Sequence, residues 1–188
     1  MRKYCVMGII AVIAVLIFFA VWRSAHKSRN IYFNQNVSPN MIVISPSFQN
    51  NGYIPQKFTC EGENINPELR IQDVPENAKS LALVMHDPDA PMPGGFTHWL
   101  IWNTNPKTTE MREGEKPSGS VESKNDGGKI GYTGPCPPLG HGVHHYYFKF
   151  YALDAVLNLP ADASKKDLEA EIQKHLIAKA ELVGLYSR

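Results

Sequence analysis

Nineteen consecutive residues, Tyr4 to Trp22, carry no charge, and that run divides the chain before any finer pattern is read. A helix over it reaches roughly 28 Å, close to the hydrocarbon thickness of a bilayer. Every face of the run is apolar, unlike a helix packed on one side of a soluble core. A cleaved signal peptide has a shorter apolar stretch and a small-x-small site after it. Here the run closes in Ala20, Val21 and Trp22, and tryptophan suits a membrane interface better than a cleavage point. We therefore read residues 1–22 as a single N-terminal transmembrane helix that anchors the protein, with secretion after signal cleavage as the alternative. Arg2 and Lys3 before the run nearly balance Arg23, Lys27 and Arg29 after it. The very short N-terminal tail tips the reading towards an exported domain, periplasmic or otherwise extracytoplasmic.

Residues 23–40 are rich in Ser, Asn and Gln and end in Ser38-Pro39-Asn40, the composition of a polar linker. Ile31, Tyr32 and Phe33 inside it form a segment able to dock on the domain or the membrane. The remainder, 41–188, is long enough for one domain with its own hydrophobic core. Its charge matters for partners. The whole chain is +1, but residues 1–30 hold five basic residues and no acid, which leaves 14 basic against 18 acidic residues, or −4, for the rest. A mildly acidic domain without a basic stripe is a poor match for nucleic acid. Three cysteines without C-x-x-C or paired Cys/His spacing exclude a disulfide-built scaffold and a structural zinc site, and no cofactor or metal motif is found. Cys60 and Cys136 either pair in an oxidising compartment or pack as free thiols, and we read them as free thiols.

From residue 41 onward, short strand patterns alternate with turn chemistry. Strands are predicted at 41–44, 69–71, 81–85, 97–102 and 146–151. The continuously apolar 81–85 is expected to be a central strand covered on both faces. Residues 113–131, with glycines at 114, 119, 127, 128 and 131, read as a long loop. Leu168, Ile172, Leu176 and Lys179 to Leu182 recur at helical spacing, predicting a helix capped by Asp162 or Ser164 and ended by Gly184. Together these elements give a mainly β, antiparallel β-sandwich with helical decoration.

Two segments carry the chemistry. His86-Asp87-Pro88-Asp89-Ala90-Pro91 directly follows the buried strand. It is read either as plain turn chemistry or as a stiffened turn that aims an aspartate into a site. The second segment runs from Gly134 to Tyr146, with Pro135, Pro137 and Pro138 around Cys136 and glycines at 140 and 142. Period 2 then places His144, Tyr146, Phe148 and Phe150 on one face of a strand, making His144 and Tyr146 the floor of an anion pocket. His145 is read as a packed or surface histidine and His141 as solvent-exposed. Strict alternation also puts His98 on the face of Leu100 and Trp102, where a buried ring needs a partner. Asp87 is the partner expected.

Taken together, these segments resemble the phosphatidylethanolamine-binding protein family, in its bacterial Raf-kinase-inhibitor-like branch, over about residues 41–186. Phe58-Thr59-Cys60 with Asn64, Asn66 and Pro67 is similar to that branch's opening motif. Leu83 to Pro91 followed by His98-Trp99 resembles the first family signature, and Gly134 to Gly140 with His144 and Tyr146 the second. The resemblance implies a large antiparallel sheet with a smaller one packed on it, C-terminal helical structure, and a small cavity for phosphate, a phospholipid head group or another small anion. By motif position, Asp87, Pro91, His98, Gly134, Pro138, His144 and Tyr146 are expected to line or frame that cavity. His145 stands where the family commonly has Arg, and a histidine lacks the permanent charge and forked geometry of a guanidinium.

Three function classes remain in view. The first is a tethered binding module for small anions, for which protonated histidine contacts predict an affinity that falls between about pH 6 and 8. The second is a metal-assisted hydrolase or esterase using Asp87, His98 and His144. The sequence contains neither H-E-x-x-H nor G-x-S-x-G, and a non-enzymatic role is the expectation. The third is an inhibitor or regulator of a kinase or protease, a role that fold analogy alone cannot establish.

Overall fold

The computed structural model describes residues 41–188. The expected anchor at 1–22 and linker at 23–40, Ile31 to Phe33 included, lie outside the described residues. Among those described, no helix is long and apolar enough to cross a membrane.

Among the described residues, nine strands form two sheets. β1 (Ile42–Ile44), β3 (Leu69–Gln72) and β6 (Glu110–Met111) make a three-stranded sheet in the order β1-β3-β6. The larger sheet comprises β2 (Gly52–Tyr53), β4 (Ser80–Asp87), β5 (Phe96–Thr104), β7 (Val121–Glu122), β8 (His144–Leu153) and β9 (Leu176–Tyr186), ordered β2-β9-β8-β4-β5-β7. All pairings are antiparallel except β2 with β9. The five strands predicted from sequence are all present.

Alternation along the large sheet feeds two cores. Leu81, Leu83, Met85, Trp99, Ile101, Tyr146, Phe148 and Phe150 face the small sheet's Val43, Leu69, Ile71 and Met111. Ala82, Val84, Leu100 and Trp102 face the other way, against Leu157, Ala163, Leu168 and Ile172. β4 is therefore buried along its whole length, as its unbroken apolar sequence requires.

The one α-helix among the described residues, α1 (Lys165–His175), begins with a capping box in which the Ser164 hydroxyl accepts from the Asp167 N–H and the Asp167 carboxylate accepts from the Ser164 N–H. It ends eleven residues before Tyr186, so the helix expected to reach Gly184 is corrected. Residues 176–186 are β9, paired with β8 from Leu153↔Leu176 to His144↔Tyr186. Ala178, Leu182 and Tyr186 fit a four-residue spacing as well as a two-residue one. The long ladder to β8 decides between them. Gly184 does not end anything: a Cβ there would lie 2.5 Å from Ile54 Cγ1, so glycine lets β2 lie beside β9. The loop expected at 113–131 is mostly irregular, but it contributes edge strand β7 and a bridge between Lys124 and Ile130.

Candidate functional site

Three adjacent strands bring the chemistry together. Asp87 ends β4, His98 lies near the start of β5, and His144 and Tyr146 open β8. The β4–β5 register jumps between Met85↔Trp99 and His86↔Thr97, so Thr97 and His98 oppose one position of β4. Such a bulge re-aims a side chain. His98 does not share the face of Leu100 and Trp102, as strict alternation predicted. It turns instead to Tyr146, ring centroids 5.2 Å apart and edge-on.

The expected Asp87–His98 pair is also corrected. Asp87 Oδ2 accepts from Nδ1 of His144 at 2.7 Å, with both side chains almost fully buried, while Oδ1 accepts from the Asp89 N–H at 2.8 Å. His98 instead donates from Nδ1 to the Thr133 carbonyl at 2.7 Å. A carbonyl oxygen can only accept, so Nδ1 carries the proton. Burial lowers the His98 pKa to about 4, against the opposing pull of Thr133 and Asp87. At neutral pH the ring is uncharged and Nε2 is a bare acceptor. Burial, with Asp87 and Asp89 nearby, pushes the Tyr146 phenol upward, so its O–H remains a donor. That hydroxyl is buried and has no hydrogen-bond partner.

These groups floor a cavity of about 290 Å³. All seven residues expected at the site, Asp87, Pro91, His98, Gly134, Pro138, His144 and Tyr146, line it. Ala90, Met92, Phe96, Thr133, Cys136 and Pro137 complete the walls, and none of the lining residues is Lys or Arg. Among the described residues, no cluster of His, Cys, Asp or Glu is arranged to hold a metal ion.

The cavity wall from Tyr132 to Gly140 is tied down from outside. Cys60 and Cys136 form a disulfide with Cα atoms 5.4 Å apart, which overturns the free-thiol reading. Their separation of 76 residues hid a proximity that only the fold creates. The Cys60 N–H donates to the Pro135 carbonyl, Tyr132 Oη to the Phe58 carbonyl at 2.8 Å, and the Gly134 N–H to Asn64 Oδ1 at 2.7 Å. Gly134 is required here, because a Cβ would lie 2.2 Å from the Phe58 carbonyl oxygen. The segment from Phe58 to Asn64 thus buttresses the wall without lining the cavity.

Sequence reasoning passed over His141. It is exposed, yet its Nδ1 lies 2.7 Å from His144 Nε2, extending a chain from Asp87 through His144 to the surface. The signal was its spacing of three from His144 across a glycine. His145 is half-exposed, and both its ring and its backbone N–H donate to Asp89 Oδ2. Burial works to raise the Asp89 carboxyl, but these bonds outweigh it and hold the carboxyl below its ordinary value.

Comparison with known proteins identifies the family that this fold belongs to. The family model described as phosphatidylethanolamine-binding protein matches residues 44–187. The chain belongs to that family. A UPF0098 protein of Pyrococcus horikoshii is 53% identical over 154 residues, covering 78% of this chain and 77% of the relative. Among solved structures, a phosphatidylethanolamine-binding protein homolog from Chlamydia trachomatis is 39% identical with a TM-score of 0.75, covering 80% of this chain and 99% of its own. YbcL of Escherichia coli, described as a new member of the mammalian family, is 30% identical, also at 0.75, covering 79% and 98%. The family's two-sheet architecture is the one found here.

Proposed function

We propose that residues 41–188 form a binding module that takes a small anion, inorganic phosphate or a phosphate-bearing head group, in the Asp87–His98–His144–Tyr146 cavity. The observation that carries this reading is the Tyr146 hydroxyl, buried at the cavity floor with no protein partner. A buried donor left unpaired costs about 1–3 kcal/mol, and a ligand oxygen accepting from it recovers that loss. Pro91, Gly134 and Pro138 shape the opening. The module is held at a membrane through residues 4–22, on the extracytoplasmic side, or secreted. The Cys60–Cys136 disulfide supports an oxidising compartment. Regulation of a partner protein, a kinase or protease, is the biological use this reading includes.

Hydrolysis by the same residues is the competing reading, favoured by the Asp87–His144–His141 chain, which is arranged to move a proton. One titration separates the two. Full-length protein in mild detergent is titrated with phosphoethanolamine, following histidine NMR signals and free phosphate, beside Tyr146→Phe and His144→Ala. The expected result is saturable shifts with no phosphate released, and binding about tenfold weaker in Tyr146→Phe. Phosphate release that vanishes in His144→Ala establishes the hydrolase instead. An absence of saturable shifts overturns both.

A further inference from the structure

Resting on the reading above, we infer that the cavity takes its ligand as a singly protonated monoanion of a phosphate monoester or phosphonate, whose own P–O–H donates to His98 Nε2. The argument starts from what the cavity lacks. No Lys or Arg lines it, while Asp87 does. Arg188 is not among the lining residues: its Nε donates to the Pro137 carbonyl and its Nη1 lies 3.8 Å from Cys60 Sγ, so its charge reaches Tyr146 only from behind the wall. A dianion would therefore meet a carboxylate with no fixed cation in the lining to offset it.

The titratable and charged groups around the cavity come from every side. β4 supplies Asp87, with His86 on the reverse face, and the turn after it supplies Asp89. β5 supplies His98, with Asp126 nearby. β8 and the loop before it supply His141, His144, His145 and Tyr146, and β9 with the residues after it brings Tyr186 and Arg188 close to Tyr146. Asp89 and His145 are taken up by each other at the rim. His141 and His144 share one proton between them, and His144 spends the other on Asp87.

His98 sets the remaining demand. Its Nδ1 proton is committed to Thr133, and its Nε2 has no protein partner while the ring lines the cavity. Lone pair would face lone pair if an unprotonated phosphoryl oxygen approached it. A ligand that still carries an O–H fits instead: the hydroxyl donates to Nε2, and another ligand oxygen accepts from Tyr146 Oη, which has no protein partner. The proton that makes binding favourable is then the ligand's, not the protein's. A phosphodiester has the same single charge but no such proton.

The test uses the wild-type full-length chain in non-ionic detergent and three probes. These are methyl phosphate, methylphosphonate, which loses its second proton at higher pH, and dimethyl phosphate, which has none. The ³¹P resonance of bound methyl phosphate is expected to keep its monoanion position at pH 7.5, where the free ester is mostly dianion, because its second ionisation lies near about pH 6. Affinity is expected to fall about tenfold per pH unit above that ionisation. The onset of the fall should move up for methylphosphonate, and dimethyl phosphate should bind at least about tenfold more weakly at pH 6. A bound dianion resonance, a common onset for the two ionisable probes, or equal binding of the diester overturns the inference while leaving the phosphate site standing. Failure of all three probes to bind at any pH removes the site reading itself.

Discussion

The two walls of the cavity are built on opposite plans. The turn from Asp87 to Gly95 holds itself: Asp89 N–H to Asp87, Met92 N–H to the Ala90 carbonyl, Gly95 N–H to the Met92 carbonyl. Its side-chain ties to the rest of the molecule are the buried Asp87–His144 pair at its first residue and the half-exposed Asp89–His145 pair at the rim. The wall from Tyr132 to Gly140 is fastened to distant parts of the chain. Phe58, Cys60, Asn64, His98 and Arg188 all bond to it, one of them covalently. Local bonds among exposed residues open at low free energy, whereas a segment fixed at several distant points moves only with the fold. The proline-stiffened turn is thus the more weakly held of the two walls, and the cysteine-bearing loop the more firmly held.

The sharpest way to break this contrast is to unfasten the second wall. Replacing Cys60 and Cys136 by serine releases a loop of 76 residues' separation and is expected to cost about 4 kcal/mol of unfolding free energy, read from urea denaturation. A loss below about 1 kcal/mol would mean that the hydrogen bonds alone fix that wall.

A smaller effect comes from pH. His98, tied to the second wall through Thr133, has a folded pKa of about 4 against an ordinary 6.5. The unfolded chain therefore takes up a proton first as pH falls. Its contribution to stability is complete above pH 6.5 and is lost as pH drops towards 4, by roughly 3 kcal/mol over that window. Denaturation midpoints that do not differ between wild type and His98→Gln from pH 7 to 4.5 would contradict it. The His98 ring signals should also stay fixed between pH 6 and 8.

The least costly change is Asp89→Asn at the first wall, expected to remove well under 1 kcal/mol because the pair is half-exposed. The Asp89 carboxyl is held below its ordinary value, so its contribution is present above about pH 4 and disappears as pH falls further. Amide exchange should quicken across residues 88–95 and not across 132–140. Equal quickening of both segments would erase the distinction between the walls.

The pattern of what could be read in the sequence follows from locality. The apolar run at 81–85 and the alternation from His144 to Phe150 are local, and both predicted the strands and the buried face found. The seven cavity residues sit at strand ends or in proline- and glycine-rich loops, where spacing and family resemblance pointed. The misreadings share a different cause. Residues 176–186 satisfy helix and strand spacing at once, and the partner strand that decides lies more than twenty residues away. The face of His98, the partner of Asp87 and the Cys60–Cys136 bond each depend on which distant segments the sheet places side by side. Charge and hydrophobicity along the chain do not encode that placement.

The bulge at Thr97 and His98 has a genetic consequence. Because side chains alternate across a strand, the histidine reaches the cavity only through the extra residue that β5 carries opposite His86. Point substitutions can exchange what sits at that position, but loss of a single codon in this stretch would reset the alternation and withdraw the ring from the floor. An insertion or deletion here therefore creates or removes the cavity-facing position itself, and chains that differ in length here are predicted to differ in ligand preference even where their signature motifs are identical.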